Sequence, residues 1–144
     1  MNNFEKVKNE SSKANESNDC AVKAIAIACN VPYKVAHKAL ANLGRRNRRG
    51  TLNITIHTAI KQLGFDLECI TDKVKAKTVT TLAADRAVKD GFFVTFVRGH
   101  IAAIVNGQIE DWTEGKRYRV RLVYKVTPNK TRAERKALMS NLFA

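Results

Sequence analysis

Between Cys20 and Asn30 the chain reads Cys-Ala-Val-Lys-Ala-Ile-Ala-Ile-Ala-Cys-Asn, with Lys23 as its one charge. Wound as a helix, this stretch is apolar on nearly every side, so the rest of the chain must cover it all round. Asn18 and Asp19 stand before it as capping residues. With 144 residues, 44% of them apolar, the chain has material for one core around such a helix and not for two. The run is far too short to cross a bilayer, so no membrane partner is expected. The opening Met1-Asn2-Asn3-Phe4-Glu5 has neither the basic start nor the apolar run of a signal peptide, which predicts a cytoplasmic protein. Cys20, Cys29 and Cys69 cannot all pair, and in a reducing compartment all three are expected as free thiols.

The flanking segments supply the cover. Residues 1–17 hold only Phe4 and Val7 as sizeable apolar groups and read as a loose polar arm. Pro32 is placed to open a second helix that stops at Gly44. Leu52, Ile56, Ala59, Ile60 and Leu63 form one helical stripe ending at Gly64. The period then shortens. Residues 65–70 alternate as a short strand, Thr80–Lys89 suggests a helix, and Phe92–Val97 is rich in strand formers. His100–Val105 and Gln108–Trp112 flank Asn106-Gly107, the strongest short hairpin signal a sequence offers. Tyr118–Tyr124 alternates as a strand with one basic face, and Thr131–Leu142, with Thr131 and Glu134 as a capping box, suggests a terminal helix. Helices first and an antiparallel sheet second define an α+β fold. The expected organisation is an arm over 1–17, a domain over 18–127 and a basic tail over 128–144.

Charge is unevenly spread. The formal net charge is +13. Arg45, Arg46, Arg48 and Arg49 place four cations in five positions, and residues 116–136 hold nine against Glu134 alone. These segments fit a phosphate backbone or an acidic protein, and equally a merely soluble surface. Arg45, Arg46, Arg48 and Arg49 are the anion-binding candidates.

The hairpin allows a geometric deduction. With a two-residue turn, Val105 faces Gln108, Ile104 faces Ile109 and Ala103 faces Glu110. His100, Ala102, Ile104, Ile109 and Asp111 then share one face, with Glu110 on the other. His100 and Asp111 become diagonal neighbours about 7–8 Å apart between backbones, near enough for the carboxylate to hold the imidazole. A three-residue turn would reverse the parity and bring Glu110 round instead. Cys20 opens the buried helix, where unpaired N–H groups and the helix dipole favour a thiolate. Nucleophile, base and orienting acid are the general form of an activated thiol, and Asn18 or Asn15 is near enough in sequence to donate to an oxyanion. Taken singly, each residue has a plainer reading. Cys29 and Cys69 are expected as inert core thiols, and His37 and His57 as ordinary helical histidines. No Cys or His pair has zinc-like spacing, and no phosphate loop is present, so neither metal nor cofactor is expected.

The order Asn18-Asp19-Cys20-Ala21, then Gly99-His100-Ile101-Ala102-Ala103-Ile104-Val105-Asn106-Gly107, then Glu110-Asp111-Trp112, resembles the papain-like cysteine peptidases. Small bacterial and phage proteins related to the bacteriocin-processing (C39-like) peptidases are the nearest in pattern. The resemblance implies Cys20 as nucleophile on a central helix, His100 as base opening a strand, and Asp111 as orienting acid on the next strand. It spans residues 18–112 in scattered motifs. It departs from the family at Ala14, where a glutamine oxyanion donor is usual, so Asn18 or Asn15 would have to substitute. Trp112, after the acid, is placed to shield the His100–Asp111 bond or to pack on the core. Two functions are thus expected to compete: a cysteine hydrolase acting on a peptide, isopeptide or related amide, in the host cytoplasm if phage-encoded, and a non-catalytic basic protein holding nucleic acid or an acidic partner. A pseudoenzyme that binds peptide tails without cutting them is a third.

Overall fold

A computed structural model describes residues 2–129. The chain runs α1 (Phe4–Lys13), α2 (Cys20–Ala28), α3 (Tyr33–Asn42), α4 (Asn53–Gln62), β1 (Phe65–Cys69), α5 (Val79–Leu82), β2 (Phe92–Val97), β3 (His100–Val105), β4 (Gln108–Glu110) and β5 (Leu122–Pro128). The strands form one antiparallel sheet in the order β1-β5-β2-β3-β4. This is an α+β architecture. Alternation along the strands divides the core. Val94, Phe96, Ile101, Ala103, Val105 and Val126 face the helical layer α1–α4. Phe93, Val97, Ile104, Ile109 and Val123 face α5 and the segments around it.

Helix α2 lies where its composition demands. Every residue from Ala21 to Ala28 except Lys23 is at most 2% exposed. It packs on β3, with α1, α3 and α4 also against it. Four alanines let those neighbours approach closely while the isoleucines fill the gaps between them.

Residues 2–17 are not a loose arm. Phe4, Val7 and Ser11 line one face of α1, with Val7 fully buried, and Asn3 caps the helix by accepting from Lys6 N–H at 2.9 Å. Asn2, itself buried, donates its amide to Ala26 O at 2.9 Å and to Val31 O, closing the far end of α2. The contacts that fix this segment are largely polar, so no apolar period announces it. Val7→Ala is expected to cost about 2 kcal/mol of unfolding free energy in a urea titration. Lys8→Ala, on the exposed side, should stay within ~0.5 kcal/mol. Equal effects would restore the loose arm.

Other expectations shift in detail. The single helix foreseen over Thr80–Lys89 is broken into α5 and a 3-10 turn at Arg86–Val88. Asp85 causes the break: its carboxylate accepts from the N–H groups of Lys75, Ala76 and Ala87 at 2.8–2.9 Å, outcompeting helix continuation. The strand foreseen at Tyr118–Tyr124 begins only at Leu122, because residues 118 and 120 bond instead to Val79 and Lys77. Leu52 stands just before α4 and is 73% exposed, not part of its buried stripe. Cys69, read as a core thiol, is exposed, at the end of the edge strand β1. The tail beyond residue 129, with its Thr131 and Glu134 box, lies outside the described residues. No helix among the described residues is long and apolar enough to cross a membrane.

Candidate active site

The hairpin forms as its sequence dictates. Asn106 (φ 48°) and Gly107 (φ 81°) adopt the left-handed pair of a two-residue turn, which matches the twist of the flanking strands. The register is Val105 with Gln108, Ile104 with Ile109 and Ala103 with Glu110. Glu110 points to the helical side, where it accepts from Phe4 N–H at 2.9 Å. Strand β4 stops one residue short of Asp111. Thr113 donates its N–H (3.1 Å) and hydroxyl (2.6 Å) to Asp111 Oδ2, so the carboxylate folds the chain into a turn after the strand. The same oxygen accepts from His100 Nε2 at 2.8 Å. One buried carboxylate thus ends a strand and holds an imidazole.

With Nε2 engaged by Asp111, Nδ1 is the ring nitrogen left over for a proton exchange with Cys20. The sulfur, at the first position of α2, is half-buried, and its thiol is coupled to the His100 ring and the Ile101 N–H. Burial pushes the Cys20 thiol up, but those two partners and the positive charge of the imidazolium outweigh it, and the thiol falls below its ordinary range. Burial likewise pulls His100 down. The bond to Asp111 and the coupling to the Cys20 sulfur win, and its pKa rises to about 9. The two shifts run toward each other, a lowered thiol and a raised imidazole, and so favour the thiolate–imidazolium form of the pair. Trp112 lies against the outer side of the ring, 5.0 Å between centroids, and Tyr118 meets Trp112 edge-on at 5.4 Å. Both aromatics are substantially exposed.

Asp19 occupies the cap position of α2 but makes no capping bond. It is buried, accepts from Tyr33 OH at 2.6 Å and pairs with Lys23 Nζ at 3.1 Å. The first-turn N–H groups of α2 are thus left without a side-chain acceptor, beside the sulfur. Asn18 borders the same cleft, yet its amide donates to Arg48 O at 3.2 Å, fastening the basic loop. Asn15 is exposed, and its carbonyl accepts from Arg48 Nη1 at 3.4 Å. Neither amide bonds Cys20.

The basic loop is not a uniform anion site. Arg45 is buried and forks onto Glu16 (2.9 and 3.2 Å), while its Nε donates to Arg49 O at 2.9 Å. Its charge is consumed inside the fold. Arg46, Arg48 and Arg49 remain exposed. His37, read as an ordinary helical histidine, also reaches Glu16, at 2.6 Å. His57 packs against Tyr124 (4.9 Å) and Phe96 (6.1 Å), outside the site.

Two clefts meet at the thiol. One, of about 540 Å³, runs past Asn18, Lys23, Trp112 and Tyr118. The other, of about 350 Å³, runs past Thr51, Ile56, Phe96, Arg121 and Leu122. They share Cys20, Gly50, Arg98, Gly99 and His100, and so form one groove that crosses the sulfur. Sequence reasoning missed Lys23, Gly50, Arg98 and Arg121 as groove residues, because nothing local marks them. Thr113 was findable, since Asp-x-Thr is a turn signal in its own right. Comparison with protein-family models, with curated proteins and with solved structures finds no match to this chain.

Proposed function

We propose that the protein is a papain-like cysteine hydrolase that cleaves a peptide, isopeptide or related amide bond through Cys20, His100 and Asp111. The observation that carries this reading is the Asp111 Oδ2–His100 Nε2 bond together with Cys20 and His100 lining the same two clefts, the thiol coupled to that ring. The thiolate attacks the carbonyl carbon of the substrate, and the carbonyl π electrons move onto oxygen. First-turn N–H groups of α2 are positioned to take that charge. Collapse of the intermediate breaks the C–N bond, with His100 giving its proton to the departing amine and an acyl thioester left on Cys20. Water then attacks the thioester, His100 removes its proton, and the acid and the free thiolate are released. Asp111 stays ionised throughout and fixes the ring.

Thiol labelling tests the reading. With iodoacetamide at pH 7, mass spectrometry should find Cys20 modified ahead of Cys69, although Cys69 is the more exposed, with buried Cys29 last. Equal rates at Cys20 and Cys69 would end the enzymatic reading. The basic binding protein is the second reading, resting on exposed Arg46, Arg48 and Arg49 but no longer on Arg45.

A further inference from the structure

The groove has a charge of its own. Lys23 lines one lobe, Arg121 the other, and Arg98 stands where the two meet. The one carboxylate bordering either lobe is Asp19, which is buried and already bonded to Lys23 and Tyr33. Among the described residues, Arg98 and Arg121 make no ion pair, and both are exposed. Arg48 and Arg49, next in sequence to the shared Gly50, are exposed as well. Such a trough concentrates anions and repels cations before any contact is made.

Its walls argue for the kind of anion. Between the cations lie apolar surfaces, Ile56, Phe96 and Leu122 in one lobe and Trp112 with Tyr118 in the other. A regularly charged phosphate backbone is best met by an unbroken basic track. A peptide alternating acidic and apolar side chains matches cations set among apolar walls. At the centre, Gly50 and Gly99 bring bare backbone beside the sulfur, leaving room for a main chain to pass.

We propose that the groove recognises an acidic peptide segment, with carboxylate side chains on both sides of the bond presented to Cys20: toward Lys23 on one side, toward Arg121 on the other, and near Arg98 at the crossing. This deepens the thiol-hydrolase reading and rests on it for the word substrate. Arg98 and Arg121 supply paired guanidinium donors, while Lys23, already paired with Asp19, adds an ammonium; charged acceptors suit both better than the amide of glutamine does.

Trp112 is the chain's one tryptophan and stands on the rim, so its emission reports occupancy. In the Cys20→Ala protein, a short peptide flanked by glutamates should bind about tenfold tighter than its glutamine twin at low salt, by Trp112 emission and by calorimetry. Arg98→Gln with Arg121→Gln should erase that difference. Gly50 has open space where a Cβ would stand and no positive φ, so Gly50→Leu should obstruct both lobes and abolish binding with an unchanged thermal melt. Equal affinity for the twins, a preference surviving the double arginine change, or tighter binding of a short oligonucleotide with the same charge overturns the proposal. Failure of the enzymatic reading looks different: the wild type would then bind the glutamate peptide selectively and leave it uncut.

Discussion

His100→Ala is expected to lower amide hydrolysis by about 10⁴-fold or more, because base, acid and thiol activator are lost together. Its effect on the sulfur is separately measurable. Without the ring, Cys20 keeps the burial and the Asp111 charge that push its pKa up, and loses the coupling and the positive charge that brought it down. Iodoacetamide labelling at pH 7 should then slow by at least about tenfold, with its midpoint displaced to higher pH. In the wild type, hydrolysis should climb as the thiol gives up its proton, below the ordinary thiol range. It should fall as His100 loses its own proton through a pH of about 9, since the leaving amine then has no donor. Asp111→Asn removes the group that raises His100 and should narrow this window from its alkaline side. An alkylation profile identical in wild type and His100→Ala would mean that ring and sulfur are not coupled.

Glu16→Gln should destabilise the fold by about 3–5 kcal/mol, a large share of the ~5–15 kcal/mol typical of a domain. Glu16 and Arg45 side chains are 0% and 1% exposed, so losing the carboxylate strands a buried guanidinium charge. Burial alone would raise the Glu16 carboxyl. The bonds from Arg45, the Arg48 N–H and His37 prevail and hold it at about 2 against an ordinary 4.5. A depressed carboxylate contributes fully above its unfolded value and loses that contribution as pH falls through its folded one. Wild-type stability should therefore drop between about pH 5 and pH 2, and the variant should lack this component. Urea midpoints across that range measure it, and a loss under ~1 kcal/mol at pH 7 would show that the pair is dispensable.

These two clusters differ in how visible they are in the chain. His100 and Asp111 could be paired from sequence because a two-residue turn fixes parity, and parity alone decides which acid shares the histidine's face. The burial of α2 was equally legible, since no other arrangement hides so many apolar groups. Glu16 meeting Arg45 and His37 was not legible. Pairs so far apart along the chain depend on how α1, α3 and the 45–49 loop stack, and a surface arginine and a buried one read alike in a sequence. The same blindness turned α1 into an arm, because Asn2 and Ser11 are buried by hydrogen bonding rather than by apolarity. Asn18 was legible only in part: it does border the cleft, but the bond from its amide to the Arg48 carbonyl depends on a loop thirty residues away.

The imidazole and its carboxylate sit on a single hairpin, whereas the sulfur comes from a helix eighty residues upstream that is held by α1, α3, α4, β2 and β3. Hairpins close within about 1–10 μs, but contacts of long sequence separation wait for the chain as a whole. During refolding Cys20 is therefore expected to behave as an ordinary thiol until α2 docks on the hairpin. Pulse alkylation during refolding measures this: the proposed nucleophile should gain its reactivity only with the complete fold.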